Sequence, residues 1–430
     1  MANPLDNRTI LRFAKAFRSG AGIEQHLENL DRILLMRNKV KIIRMYLRKH
    51  PHDVRINREI GQGVLIEIPM SANTRNIKRR PKIKERKQSR ALFLKAIFRD
   101  VILYNSFLYP AFFRHLLKRY YHPPQGQFPI INAGEKFRRM HQEYKIDLLV
   151  MHYVGTADSE EIIEEAAKLR IPYVFINHFS NDRFRDVSIR EQLQDAAGIA
   201  GVCGVGIPSW LKGRFCNVSN GIDVDFFNPE GVEARKNKHI RPIIFYPARI
   251  VPAKGQIDLI KAYGKLQKEG LRGRLVLAGR ADSREYENSL RKMVKREGLD
   301  EDVTFLGELD REEVLKWYKK SSILAFPTYH QEGLPRILME AQAMKVPLVA
   351  YTIGGVPEAV INGKTGFLVK KGDIDAFTEK LQILLSKDEL RRRMGEEGRK
   401  FVEERFSLEA LAERHERFYL SVLGRRKNGR

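Results

Sequence analysis

The sequence predicts an α/β protein built from two doubly wound halves. Three observations carry this. The chain has 430 residues, which at about 100–200 residues per domain points to two domains. From Arg241 to Leu385, short β-branched, apolar runs alternate with amphipathic stretches, the pattern of a parallel sheet covered on both faces. Upstream the alternation recurs in looser form. The two halves are separated at Phe227–Ile240, where Asn-Pro-Glu-Gly and the run Arg-Lys-Asn-Lys interrupt the pattern.

In the N-terminal half, Gly22–Arg37 reads as a helix and Val40–Leu47 and Val64–Ile68 as strands. Further strands are expected at Ile146–His152, Tyr173–Asn177 and Ile199–Val202, with helices at Ser159–Arg170 and Glu191–Ala197. In the C-terminal half the strands are Pro242–Pro247, Arg274–Gly279, Val303–Gly307, Ile323–Pro327, Pro347–Tyr351 and Phe367–Val369. Helices are expected at Gly255–Glu269, Arg284–Glu297, Arg311–Lys320 and Pro335–Met344, and Phe406–Leu423 reads as a last helix. These strands are apolar without clean alternation, which fits burial on both sides.

With 43% apolar residues, a core of this size forms without covalent staples. Cys203 and Cys216 have no zinc-like spacing, so a reduced, cytoplasmic compartment is expected. The N-terminus lacks the basic and apolar regions of a signal peptide, and no run of about 18 apolar residues is present. The sequons at Asn7 and Asn217 are then chance matches.

A net charge of +25 attracts an anion: nucleic acid, anionic lipid or a phosphate-bearing substrate. Arg75–Arg90 carries nine Lys/Arg against one acid, Glu85. An aromatic, leucine-rich and basic segment runs on to Tyr121. Region 75–121 suits the surface of an anionic membrane, while a solvated loop followed by core helices explains it equally. Nucleic acid is the weaker reading, because no binding motif accompanies the charge.

The segment Phe326–Ala343 carries most of the chemistry. A strand ends in Pro-Thr-Tyr-His-Gln, followed by Glu332, Gly333, Leu334 and Pro335. Pro335 suits a first helical turn, where its missing N–H costs nothing. The free amides of such a turn attract phosphate or sugar hydroxyls, and the carboxyl ends of parallel strands are where open α/β sheets bind ligands. Glu340 lies among apolar neighbours and needs partners. Ribose hydroxyls would serve, as would Arg336 at i−4. Arg249 and Lys254 sit between a strand and a helix, where cations hold phosphate.

E-G-L-P-R-I-L-M-E-A-Q-A resembles the E-x7-E segment of family 4 retaining glycosyltransferases, known also as glycosyl transferases group 1. Y-P-A-R-I-V-P-A-K-G, with Arg249 and Lys254, is similar to that family's donor-phosphate clamp. N-V-S-N-G-I-D-V-D-F-F-N-P, V-T-F-L-G-E-L and I-G-G-V-P-E-A-V-I-N-G-K-T-G-F-L-V match in the family's order. The resemblance is dense from Asn217 to Leu385. Upstream it is looser: Ser19–Leu30 resembles the family's glycine loop, with Gly20-Ala21-Gly22 for the usual adjacent pair, and His178 follows a strand much as a family histidine near the donor sugar does.

The resemblance implies a GT-B fold: two facing Rossmann-like domains, residues 1–228 and 229–405, with an interdomain cleft and a helix at 406–423 crossing back to the first. It implies sugar transfer with retention from a nucleotide sugar, UDP-linked by preference, to a glycan or lipid-linked acceptor. Glu332, Arg249, Lys254 and His178 would act in catalysis. Gly20, Gly22, Gly307, Gly333, Leu334, Pro335 and Glu340, with the clamp, would bind donor. No metal or cofactor is expected; Asp223-x-Asp225 lies in the linker and reads as structural. A non-catalytic membrane or polyanion binder on this fold is the rival reading, and a phosphorylase would need a pyridoxal lysine that the sequence does not single out. One departure stands out. Lys345 occupies the position where the family's helix ends in glycine, so either the helix ends differently or a lysine takes a left-handed turn at a cost of about 1 kcal/mol.

Overall fold

Parallel strands form two separate sheets in the computed structural model, which describes residues 5–14, 21–47, 56–70, 132–230, 241–271 and 273–425. Gly20 and the basic region 75–121 lie outside the described residues.

The first sheet contains β1 (Thr9–Ala14), β2 (Lys41–Leu47), β3 (Ile56–Ile60), β4 (Gly63–Met70), β5 (Leu148–Met151), β6 (Tyr173–Asn177), β7 (Gly198–Gly201) and β8 (Phe215–Asn217). Their spatial order is β3-β4-β2-β1-β5-β6-β7-β8. All pairs are parallel except the β3-β4 hairpin. Helices α1 (Ala21–Arg37), α2 (Ala133–Tyr144), α3 (Ala157–Lys168) and α4 (Val187–Gln192) connect them.

The second sheet contains β9 (Ile243–Pro247), β10 (Arg274–Ala278), β11 (Val303–Phe305), β12 (Ile323–Phe326), β13 (Leu348–Thr352) and β14 (Gly366–Lys370). Their order is β11-β10-β9-β12-β13-β14, parallel throughout. This is the doubly wound order, with its switch point between β9 and β12. The connecting helices are α5 (Gln256–Lys268), α6 (Arg284–Arg296), α7 (Arg311–Lys320), α8 (Arg336–Ala343), α9 (Val356–Ala359), α10 (Ile374–Ser386) and α11 (Asp388–Phe406). Ile244, Phe245, Val276, Leu324 and Val349 are wholly buried. Each contributes about 1.5–3 kcal/mol of hydrophobic stabilisation relative to exposure.

The last helix, α12 (Leu408–Arg425), returns to the first sheet. Its Leu411, Ala412, Tyr419 and Val422 share a core with Ile10, Leu30, Leu34 and Ile42. The first sheet is thus closed on one face by α1 and by a helix from the opposite end of the chain.

The structure corrects two sequence expectations and decides a third. The helix expected at Glu191–Ala197 is at Val187–Gln192, because Asp186 caps it by accepting from the Ser188 amide. Pro335 is the N-cap of α8 rather than a residue of its first turn. Lys345 does take the left-handed conformation, with φ 56°. Its amide donates to Gln342 O and the Val346 amide to Ala341 O, the paired bonds of a glycine-type helix end. Lys345→Gly is therefore expected to raise stability by roughly 0.5–1 kcal/mol in urea denaturation; a fall would show that the lysine side chain contributes more than its backbone strain costs.

Candidate active site

Residues from three separate loops meet at the carboxyl ends of β9 and β12. After β9 the chain makes a short helical turn, Pro252–Lys254, and enters α5. After β12 it runs through Thr328–Leu334 to α8. The two loops are tied by backbone: the amides of Tyr329 and His330 both donate to Ala253 O, at 2.8 and 3.1 Å. The Tyr246 hydroxyl donates to Lys254 O at 2.7 Å. This places the Lys254 ammonium on the Glu332 carboxylate in a direct ion pair whose side chains are 15% and 20% exposed. Both charges are largely removed from water yet open on one side.

The third loop, after β13, supports Glu332 from below. The Gly355 amide donates to Glu332 O at 3.0 Å, and a Cβ on Gly355 would lie 1.6 Å from Gly333 O. Only glycine permits that approach.

The remaining sequence candidates are distributed around this pair. Arg249 is half-exposed, and its guanidinium bonds Asp282 at 2.9 Å. Its guanidinium is paired with Asp282 and not with Glu332, the partner of Lys254. Gly307 follows β11 with φ 74°, and its carbonyl accepts from the Gly279 amide at 2.6 Å. Glu340 projects from α8, where its carboxylate accepts from the Tyr318 hydroxyl at 3.3 Å and lies 3.8 Å from Arg336. Burial pushes the Glu340 carboxyl above the ordinary carboxylate range, against the pull of Arg336, Tyr318 and Arg311. The Arg336 pairing allowed by the spacing is therefore present but long. Leu334 is buried, and its carbonyl accepts from Asn220 at 2.8 Å. Gly22 lies in the first turn of α1.

His178 follows β6 and comes to the same place from the first sheet. A Cβ on Gly333 would lie 3.0 Å from the His178 carbonyl oxygen, so the two loops are in contact. The His178 ring nitrogen Nε2 is 2.8 Å from Nδ1 of His152. Burial and the nearby Arg12 and Arg183 cations lower its pKa to about 3.

Several contacts around the site escape the sequence reading. Glu358 at the start of α9 bridges the halves: its carboxylate accepts from the Gly204 amide at 2.5 Å and from Asn217 at 2.7 Å. A signal was available, an acid inside the apolar segment Gly-Gly-Val-Pro-Glu-Ala-Val. Arg12 and His152 carried no such signal. Asp223 caps the turn that follows it, accepting from the Phe226 amide at 3.0 Å, and faces Arg32. Of these residues only Asn217 lines the cavity of about 1000 Å³ between α12 and the amino ends of β6, β7 and β8.

Comparison with known proteins agrees with this geometry. Residues 230–401 match the family model described as glycosyl transferases group 1. The capsular polysaccharide biosynthesis glycosyltransferase CapM of Staphylococcus aureus is 33% identical over 217 residues, covering 48% of this chain and 54% of CapM. A GDP-mannose-dependent monoacylated phosphatidylinositol monomannoside mannosyltransferase of Corynebacterium glutamicum is 34% identical over 213 residues, 46% of this chain and 54% of the enzyme. The chain thus spans about half the length of the curated relatives it matches. Among solved structures, a glycosyltransferase from Rickettsia africae matches with a TM-score of 0.66 at 18% identity, covering 97% of this chain and 98% of that one. Anabaena HepE, solved with UDP and glucose, matches with a TM-score of 0.65 at 15% identity over 96% and 100% of the two chains. Residues 230–401 are thus similar to glycosyl transferases group 1, and the two parallel sheets share the framework of the GT-B fold.

Proposed function

We propose that the chain is a retaining glycosyltransferase that moves a hexosyl group from a nucleotide sugar, UDP-linked by preference, to a glycan or lipid-linked acceptor in surface polysaccharide assembly. Residues 229–405 would hold the donor, and residues 1–228 with the crossing helix the acceptor. The observation that carries this is the Lys254–Glu332 pair at the switch point of the second sheet. The names of the relatives support a polysaccharide or glycolipid acceptor and a nucleotide-linked donor.

In the reaction the C1–oxygen bond to the diphosphate breaks, and the electron pair leaves with the diphosphate oxygen. The acceptor oxygen bonds C1 on the same face and passes its proton to the leaving phosphate. Negative charge grows on the diphosphate, where Lys254, Arg249 swung from Asp282, and the first-turn amides of α8 provide the counter-charge. The chain's own cations suffice, and the reading uses no metal. Glu332 would position the sugar and hold Lys254. Glu340 would accept from the ribose hydroxyls, with Gly307 beside the base. Gly20 and Gly22 would border the phosphates, and location on the cytoplasmic face of a membrane would fit the charge of 75–121.

The test is a thermal-shift panel of UDP-, GDP- and ADP-sugars on the wild type and on Glu340→Gln. One donor class should raise the melting point of the wild type, by the equivalent of about 2.7 kcal/mol at 100 times its dissociation constant. Because the Glu340 carboxyl is raised by burial, its charged form opposes folding above its unfolded pKa. Glu340→Gln should therefore melt no lower than the wild type at neutral pH, yet bind the donor roughly tenfold more weakly. A variant that melts lower and binds normally would make Glu340 a structural partner of Arg336.

A further inference from the structure

The cavity behind the crossing helix opens at the amino ends of β6, β7 and β8, whereas the Lys254–Glu332 pair stands at the carboxyl ends of strands in the second sheet. Its volume of about 1000 Å³ is that of a small-molecule site. The floor is apolar: Ile171, Phe418 and Val422 are buried and Phe215 is half-buried. A Cβ on Gly198 would lie 2.9 Å from the Phe418 ring and 3.0 Å from a Val422 methyl. Glycine at that position therefore lets α12 close down on β7.

Four arginines line the same cavity: Arg170 after α3, Arg214 before β8, and Arg414 and Arg417 on α12. Among the described residues, no Asp or Glu lines it. Three of the arginines are tethered by one edge to main-chain carbonyls. Arg214 donates to Gln194 O at 3.0 Å, Arg417 to Glu413 O at 3.3 Å, and Arg414 to Arg405 O. Among the described residues, none of these three forms an ion pair. Glu413, the acid beside them on α12, lies 3.6 Å from Arg37 instead. Nη1 of Arg414 is buried and has no hydrogen-bond partner among the described residues. Burial, followed by the Arg405 and Arg417 cations, pushes the Arg414 guanidinium below its ordinary value against the pull of Glu413.

A buried N–H without an acceptor is costly, and a guanidinium cannot shed its proton to escape that cost. An anion relieves both the missing acceptor and the mutual repulsion. A carboxylate has two oxygens and satisfies one guanidinium fork. A terminal phosphate has three free oxygens at tetrahedral corners and can meet forks from several elements at once. The apolar floor beneath the cations asks for a ligand with an apolar part as well. We propose that this cavity binds a terminal phosphate esterified to an apolar chain, at a site separate from the Lys254–Glu332 pair. Arg214, Arg414 and Arg417 hold the phosphate oxygens, and the chain lies over Phe215, Phe418 and Val422. A lipid headgroup and a soluble phosphate ester both supply this chemistry. The inference makes no use of the cleft's reading as a nucleotide-sugar site.

The test is isothermal titration calorimetry of the full chain with n-octyl phosphate below its micellar concentration. Inorganic phosphate and n-octanol serve as the two halves of the probe. Octyl phosphate should bind at one saturable site, about tenfold or more tighter than either half. Arg214→Gln/Arg417→Gln changes two exposed side chains. It should melt with the wild type and bind octyl phosphate about tenfold or more weakly. Lys292→Gln/Lys295→Gln removes the same charge from the exposed face of α6 and should bind as the wild type does. Equal affinity in the wild type and the arginine variant overturns the site. An equal loss in both variants also overturns it, because diffuse charge is then responsible. Inorganic phosphate binding as tightly as octyl phosphate overturns the apolar half of the proposal. Flotation with phosphatidylcholine vesicles containing phosphatidic acid assigns the source. Capture that the arginine variant loses identifies a lipid headgroup. Absent or unchanged capture, with octyl phosphate binding still lost in the variant, identifies a soluble ester.

Discussion

Lys254→Ala is expected to lower turnover of the nucleotide-sugar donor by about 10²–10³-fold, the usual effect of removing one preorganised group from a developing negative charge. The lysine is held by its own turn and by the Tyr246 hydroxyl, so little reorganisation is needed as the diphosphate leaves. The Glu332 carboxylate accepts from the ammonium and fixes its position. Glu332→Gln keeps the shape and removes the charge, so it should lower turnover strongly as well. Neither residue belongs to the apolar core, so both variants should retain the wild-type circular dichroism. Steady-state kinetics decide the matter: wild-type rates in either variant would remove the pair from the site.

The second large effect is expected at Gly355→Ala. A methyl group there would lie 1.6 Å from Gly333 O and 2.8 Å from Gly333 C, and no side-chain rotation relieves a clash between two backbones. The loop Glu332–Pro335 must move, and with it the Glu332 carboxylate and the amides at the start of α8. A displacement of about 1 Å at a reacting centre costs roughly 10²-fold in rate. Turnover should fall by at least that factor while the sheets stay folded, since β13, which leads into the turn, is held by parallel ladders to β12 and to β14. A near-normal rate would mean that the geometry beneath Glu332 has no bearing on catalysis.

The second sheet was the more legible half, for a physical reason. Its central strands are buried on both faces, so Ile243–Pro247 and Ile323–Phe326 appear as continuous apolar runs bounded by Pro, Gly and charged residues. The helix after Pro335 and the loop before it were readable for the same reason. What the local sequence does not hold is tertiary partnership. β1 went unnamed because Arg12 interrupts its apolar run, yet Arg12 is among the most buried residues of the protein. Its partners lie 19 residues away in Asp31 and 407 away in Tyr419, separations that no periodicity encodes. Tyr318, which donates to Glu340, and Glu358, which joins the halves, are legible only once the chain is folded. Lys345 shows the converse: the sequence pattern located the left-handed turn correctly, and the backbone bonds there override the preference of a lysine.

In the proposed reaction, the carboxyl ends of β9 and β12 would separate a sugar from a nucleoside diphosphate with the chain's own charges. The most direct measurement is release of nucleoside diphosphate from UDP-, GDP- and ADP-sugars by the wild type and by Lys254→Ala side by side. Release from one donor class by the wild type, and its loss in the variant, is the predicted result. No release from any donor by folded protein, or equal release by both proteins, would contradict it.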